Sequence, residues 1–225
     1  VTKVGKMKYT GAERHVESLR KFFMAMANDL RVLIIKLADR LHNVRTLQYV
    51  KPEKQRRIAL ETIEIHARLA DYIGMGKLKG ELEDAAFPYA YPEAYLQVEK
   101  LLAENSNSNK EQLEIVSKEL TNELKEQGVN VIEISTRAKH KYSLWIKINK
   151  HDMDISKVYD LVALRIIVKD IEKCYQTLGI IHGLFKPVPG RIKDYIATPK
   201  KNGYRSLHTT IFTGNGGIIE VQIRT

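Results

Sequence analysis

Apolar positions in the first ninety residues recur at helical spacing. Leu30, Leu33, Ile34, Leu37, Leu41 and Val44 predict an amphipathic helix. A second is expected from Pro52 to Ile73, with Pro near its start and Gly74-Met75-Gly76 as its stop. The apolar and acidic stretch LKGELEDAAF is expected to end before Pro88, and YPEAYLQVEKLLAE reads as another helix. The polar run NSNSN, Asn105 to Asn109, predicts a loop or flexible hinge, followed by a helix from Glu111 to Gln127 that ends at Gly128. The period then changes. VNVIEIS and LVALRIIV are strand-like, IEKCYQTLGIIHGLF is helical, and SLHTTIF and IIEVQIR flank the turn TGNGG as an antiparallel hairpin. The pattern is therefore an all-helical N-terminal part followed by an α/β or α+β part around one sheet, with a boundary between Tyr89 and Gly128. No internal repeat is evident.

Charge narrows the partner. A net charge of +10 and a pI near 9.5 favour an anionic partner: nucleotide, nucleic acid or an acidic surface. A length of 225 residues suffices for one large domain or two small ones. No apolar run approaches the ~18 residues of a membrane span, and there is no secretory signal. The lone cysteine, Cys174, excludes an internal disulfide and reads as a buried small hydrophobe, so a reducing cytoplasm is the expected home. The chain begins without Met and stops at Thr225 directly after a strand pattern, so it reads as a fragment of a longer protein.

The densest candidate chemistry lies at the C-terminal end. KPVPGRIKDYIATPKKNGYR, Lys186 to Arg205, holds six Lys/Arg and one Asp and leads directly into the hairpin. Alternation in IIEVQIR sets Glu220, Gln222 and Arg224 on one face and Ile219, Val221 and Ile223 on the other. A carboxylate facing a cationic field suits polyphosphate chemistry, although a solvated basic loop beside an edge hairpin would look similar. RAKHKYSLWIK interleaves Arg137, Lys139, Lys141 and Lys147 with Tyr142 and Trp145. That pattern fits nucleotide binding or, equally, a basic helix face with its rings turned inward. Asp160 precedes the apolar run LVALRIIV, where it is placed to hold a divalent ion or simply to make a turn. In NGYRSLH, Asn202-Gly203 marks a tight turn, with Tyr204 and His208 flanking a strand start. In the helical half, Asp39 and Asn43 share a face that also carries Val32 and Ile35, so that face is expected to be half-buried, with Arg40 and Arg45 able to pair with the carboxylate.

Together, Asp160 and Glu220 with Arg137, Lys139, Lys147, Arg165, Lys193 and Lys200 form the equipment of a metal-dependent phosphoryl or nucleotidyl transferase. A non-catalytic nucleotide- or RNA-binding module is the alternative of a different class.

At these residues the chain resembles the long RelA/SpoT homologues, which make and break (p)ppGpp. The resemblance runs through KLADRLHNVRTL, LKGELEDAAF, RAKHKYSLWIK, YDLVALRI, GRIKDYIATPKKNGYRSLHTT and EVQIRT, in order and nearly in register. It implies an α+β chain in which residues 1–88 are the back part of an all-helical HD-type hydrolase domain, 89–128 a helical linker, and 129–225 a mixed-sheet, polymerase-β-like synthetase domain lacking its closing helices. The implied activity moves pyrophosphate from ATP to the 3′-OH of GDP or GTP. Arg137, Lys139, Lys147 and Arg165 would hold ATP. Asp160 and Glu220 would be catalytic and ligate Mg²⁺, Glu220 as metal partner or base. Tyr204 would stack on guanine, with Lys193, Lys200, Asn202, His208 and Gln222 around the acceptor. In the hydrolase part, Asp39 would be a Mn²⁺ ligand, and Asn43 and Thr46 would line the pocket. The upstream His and His-Asp ligands and the acidic pair are absent from these residues, so no hydrolase activity is expected of them. Ribosome and tRNA sensing belongs to C-terminal regions of the family outside this chain. Arg191-Ile192-Lys193-Asp194 resembles the loop of bifunctional members, whereas HARLADYIGMGKLKG departs from the usual family wording.

Overall fold

The computed structural model describes residues 29–150, 162–214 and 217–225. Helix α1 (Leu30–Arg45) begins where Asp29 accepts the Arg31 amide at 2.9 Å, a side-chain N-cap. It buries Leu33, Leu37 and Val44, three members of the apolar stripe. After a 3₁₀ turn at Leu47–Tyr49, α2 (Pro52–Glu61) passes without a break through a π-helical segment, Thr62–Ala67, into α3 (Arg68–Tyr72). Gly74, at φ +79°, then turns the chain into α4 (Gly76–Ala90). A residue with a Cβ would be strained there. These helices share one core, in which Leu33 and Leu37 of α1 meet Ala59 of α2, Ala70 of α3 and Leu82 and Ala86 of α4.

Two expected boundaries are overturned. Pro88 lies inside α4 and does not follow it, because Phe87 and Ala90, both buried, hold the last turn in place around it. Proline there removes one amide donor close to the helix end, where the ladder is nearly finished. The expected hinge at NSNSN is also absent. Helix α5 (Pro92–Glu126) is continuous for 35 residues, about 50 Å. Asn and Ser cost only a few tenths of a kcal/mol each in a helix, and tertiary packing overrides so weak a preference. That packing comes from both flanks. Val98 joins a cluster with Phe87, Leu144 and Ile148, while Leu113, Val116, Leu120 and Leu124 sit in the core under the sheet.

Beyond Gly128 the chain forms β1 (Val131–Ala138), α6 (Lys141–Asn149), β2 (Val162–Val168), α7 (Ile171–Leu184), β3 (Lys193–Asp194), β4 (Leu207–Phe212) and β5 (Ile218–Arg224). The sheet order is β1-β2-β5-β4-β3, and only β2 and β5 run parallel. This is the mixed sheet of the α+β expectation. Helices α5 and α7 cover one face, burying Leu164, Ile166, Val221 and Ile223. Cys174 on α7 is fully buried there, and burial pushes its thiol up to about 11. The other face of the sheet carries the polar residues.

Candidate functional site

Register across the sheet assembles the site. Arg165 on β2 pairs with Gln222 on β5, Gln222 with His208 on β4, and His208 with Lys193 on β3. Paired residues point to the same face, so four residues from four strands form one polar row. The next row places Glu220 between Ala163 and Thr210, with Arg137 beyond Ala163. Both direct neighbours of Glu220 are thus small, which leaves room beside its carboxylate.

Hydrogen bonds run through these rows. His208 Nδ1 lies 3.1 Å from Glu220 Oε1, and His208 Nε2 lies 3.0 Å from the Tyr204 hydroxyl. The amide of Gln222 donates to Glu220 Oε2 at 3.0 Å and accepts from Arg137 Nη1 at 3.3 Å. At 5% exposure Gln222 needs such partners, and this pairing locks both oxygens of the carboxylate in orientation. The Lys200 ammonium lies 4.7 Å from the Tyr195 ring centroid and 5.1 Å from that of Tyr204, while the Arg224 guanidinium is 5.7 Å from Tyr204. Although Lys200 is exposed as a whole, its ammonium is drawn down among the rings. That partial burial holds it below the ordinary lysine range, and the Lys193 charge adds to the effect.

The preceding loop is held from within. Asp194 Oδ1 accepts the Ile196 and Ala197 amides at 2.9 and 2.8 Å, and Oδ2 accepts the Tyr175 hydroxyl at 2.8 Å. The amide bonds, led by that from Ala197, keep the Asp194 carboxyl below its usual range.

A cleft of about 1090 Å³ opens between this sheet face and the helical half. It exceeds the several hundred to ~1,000 Å³ of a single small-molecule site. Seven Lys/Arg side chains and two carboxylates line it, with Arg137, Lys200, Asn202, Tyr204 and His208 among the walls. From the helical side come Arg68, Asp71, Lys79 and Glu83. Burial raises the pKa of Glu83, against the opposing pull of Lys79. Asn202 donates to the Asp71 carbonyl at 3.0 Å and accepts the Tyr204 amide at 3.2 Å, so one side chain ties the basic loop to the helical half.

Not every candidate joins this group. Lys147 is exposed on the last turn of α6, and Lys139 lies between β1 and α6. Asp160 lies outside the described residues. Tyr142 and Trp145 are turned inward, Trp145 against Tyr91 at 4.7 Å and Phe87 at 5.5 Å between ring centroids, which leaves them unsuited to stack on a base. In the helical half, Asp39 and Asn43 are exposed and Ile35 is 65% exposed, so the expected half-buried face is open. Arg40 pairs with Glu61 and Arg45 with Glu81. Those carboxylates come from α2 and α4, which spacing within α1 could not reveal. Thr46 caps α1 with its hydroxyl donating to the His42 and Asn43 carbonyls. Among the described residues, no three His, Cys, Asp or Glu side chains converge as a metal site.

Sequence reasoning missed Tyr195, whose only signal was its place in the basic loop. It also missed Asp84 and His140, whose carboxylate and ring meet at 2.8 Å across 56 residues of chain.

Residues 136–225 match the region found in RelA / SpoT proteins, and residues 1–76 match an HD domain. Two family regions thus follow one another along the chain, an HD domain and then the RelA / SpoT region. It is 44% identical over 226 residues to the probable guanosine-3′,5′-bis(diphosphate) 3′-pyrophosphohydrolase of Synechocystis sp.. It is 47% identical over 225 residues to the GTP pyrophosphokinase of Streptomyces antibioticus, and 43% identical over 226 to the bifunctional (p)ppGpp synthase/hydrolase SpoT of Escherichia coli. Each alignment takes in all of this chain but only 30%, 26% and 32% of the respective relative. The small alarmone synthetase 1 from Bacillus subtilis bound to its product pppGpp has a TM-score of 0.45 at 22% identity, covering 57% of this chain and 73% of its own. The HD match ends at the Gly74–Gly76 turn and the RelA / SpoT region opens inside β1, so nearly all of α4 and the whole of α5 lie between them. No helix among the described residues is long and apolar enough to cross a membrane.

Proposed function

We propose that this chain catalyses pyrophosphoryl transfer from ATP to the 3′-OH of GDP or GTP, in the cytoplasm where those nucleotides are held. One observation carries the reading: an oriented carboxylate, Glu220, is bonded to Gln222 and to His208, and His208 lines the cationic cleft. A module that merely binds RNA or nucleotides gains nothing from a carboxylate there, because it repels phosphate. A phosphoryl-transfer enzyme needs one to take the proton of the attacking hydroxyl or to hold a metal.

In this reading the acceptor guanine lies on Tyr204, with Lys193, Lys200, Asn202 and His208 around its phosphates. Arg137 and Arg165 bind the ATP phosphates and adenine, and Lys139 and Lys147 are assigned to the same nucleotide from their place in the motif RAKHKYSLWIK alone. The 3′-oxygen forms a bond to the β-phosphorus of ATP, the bond from that phosphorus to the α,β-bridging oxygen breaks, and AMP departs. Glu220 accepts the hydroxyl proton, and Gln222 and His208 keep its oxygens aimed. Mg²⁺ would be held by Glu220, a partly exposed hard oxygen donor, and by Asp160, assigned from its sequence position ahead of β2. When bound, it neutralises charge on the transferring phosphates. Asp39, with Asn43 and Thr46, is assigned to a (p)ppGpp hydrolase pocket that uses Mn²⁺ in the longer protein. The described residues do not by themselves complete such a site.

Incubating the chain with γ-³²P-ATP, GDP and Mg²⁺ tests the proposal. Labelled ppGpp is expected, and its loss in both Glu220→Gln and Asp160→Asn with nucleotide binding retained supports the roles given. Undiminished transfer by Glu220→Gln would refute the mechanism. Retention of RNA with no transfer by the unaltered chain would favour the binding module.

A further inference from the structure

We propose that Asp84, on the helical half, is a positioning residue for the ATP side of the cleft. This inference rests on the synthetase reading. Helix α6 starts at Lys141, and His140 before it provides no side-chain cap. The first amides of a helix lack partners within it and attract negative charge. Asp84 supplies both from another domain. Its Oδ1 accepts the Tyr142 amide at 3.0 Å, and its Oδ2 lies 2.8 Å from His140 Nδ1. Both carboxylate oxygens are therefore committed to the first turn of α6.

The fit around this contact is close. Gly80 lies one turn before Asp84 on the same face of α4. A Cβ at Gly80 would overlap the His140 imidazole. The backbone of α4 can approach the ring only because residue 80 has no side chain.

Geometry makes this contact a positioning device. Only residues 139 and 140 separate the end of β1 from the start of α6, so fixing residues 140 and 142 fixes the exit of β1. Arg137 sits at that exit, lines the cleft beside His140, and donates to Gln222, which in turn donates to Glu220. Hydrogen bonds at either end of the 137–140 backbone thus connect α4 to the carboxylate. Asp84 and His140 keep side-chain exposures of 28% and 26%, so their pairing has modest weight in global stability. Its effect falls on the direction of the segment that carries Arg137 and Lys139.

The test compares the unaltered chain with Asp84→Ala and the near-isosteric Asp84→Asn. For Asp84→Ala we expect the KM for ATP to rise about tenfold, the size of one hydrogen bond to a charged group, with the KM for GDP within about twofold. Amide exchange in peptides covering 141–146 should quicken, and Asp84→Asn, which keeps an acceptor for Tyr142, should fall between. Equal rises in both KM values, or quickened exchange with neither KM moved, would overturn the positioning role while leaving the synthetase reading intact. Should the unaltered chain transfer no label, calorimetric affinities for a non-hydrolysable ATP analogue and for GDP read the same split. If the unaltered chain binds no ATP analogue at all, the synthetase reading fails and the role of Asp84 falls with it.

Discussion

Replacing Gly80 with Ala sets two effects of opposite sign against each other. Glycine inside a helix costs about 0.8–1 kcal/mol relative to alanine, so the substitution should ordinarily stabilise α4. Here the new methyl would occupy the space of the His140 ring. The ring must swing away and lose its contact with Asp84, leaving that carboxylate only the Tyr142 amide. A hydrogen bond to a charged group is worth roughly 1.5–3 kcal/mol, and partial exposure of this pair favours the lower end. Residual crowding adds to the loss. We therefore expect a net destabilisation of about 1 kcal/mol, a fall of about 2–4 °C in the thermal midpoint for a chain this long. In a His140→Ala background the obstacle is gone and only the helical preference remains, so the same substitution should raise the midpoint by a similar amount. The assay is thermal unfolding of the four members of this cycle, followed by circular dichroism at a helical wavelength. A rise on Gly80→Ala in the otherwise unaltered chain, or the same sign in both backgrounds, would refute the reasoning.

Other substitutions probe the rest of the molecule. Glu220→Gln should lower the transfer rate by about two to four orders of magnitude while nucleotide affinity holds or improves, since the carboxylate repels phosphate; single-turnover transfer beside equilibrium binding reads both. Phe87→Ala should cost about 3–5 kcal/mol in a denaturant titration, because this fully buried ring touches Tyr95, Tyr142 and Trp145 and joins α4 to α6. Burial, reinforced by the Arg40 charge, depresses His66 from 6.5 to about 4. The unfolded chain therefore takes up this proton first as pH falls. Its contribution is full above pH 6.5 and is lost on descending towards pH 4, by up to about 3 kcal/mol. His66→Phe should flatten that part of a stability–pH profile, and an unchanged slope would count against the buried neutral imidazole.

Much of the architecture could be read directly from residue patterns. The stripe Leu33, Leu37 and Val44 faces the core because three turns of helix align it, and Glu220, Gln222 and Arg224 share a face because strands alternate. These are local periodicities, set by backbone geometry within a few residues. Composition and motif order pointed to the RelA / SpoT resemblance for a related reason, since the proposed chemistry would need its cations and carboxylates present whatever the path of the chain. The two misplaced boundaries have one cause. Pro88 and NSNSN carry weak local signals for a break, and buried neighbours on either side, Phe87 with Ala90 and Val98 with Leu113, override them.

What the sequence alone determined is most of the helices and strands, the polar face of β5 and the cations and carboxylates available to the site. Tertiary structure decided which of those residues meet. The insertion of β5 between β2 and β4 aligns Arg165, Gln222, His208 and Lys193, and no local period encodes strand order. Turning Tyr142 and Trp145 inward, pairing Arg40 with Glu61, and bringing Asp84 to the start of α6 are equally long-range. Such contacts join residues tens of positions apart. They form because folding brings distant apolar surfaces together, and the polar groups carried along with them must then find partners where they land.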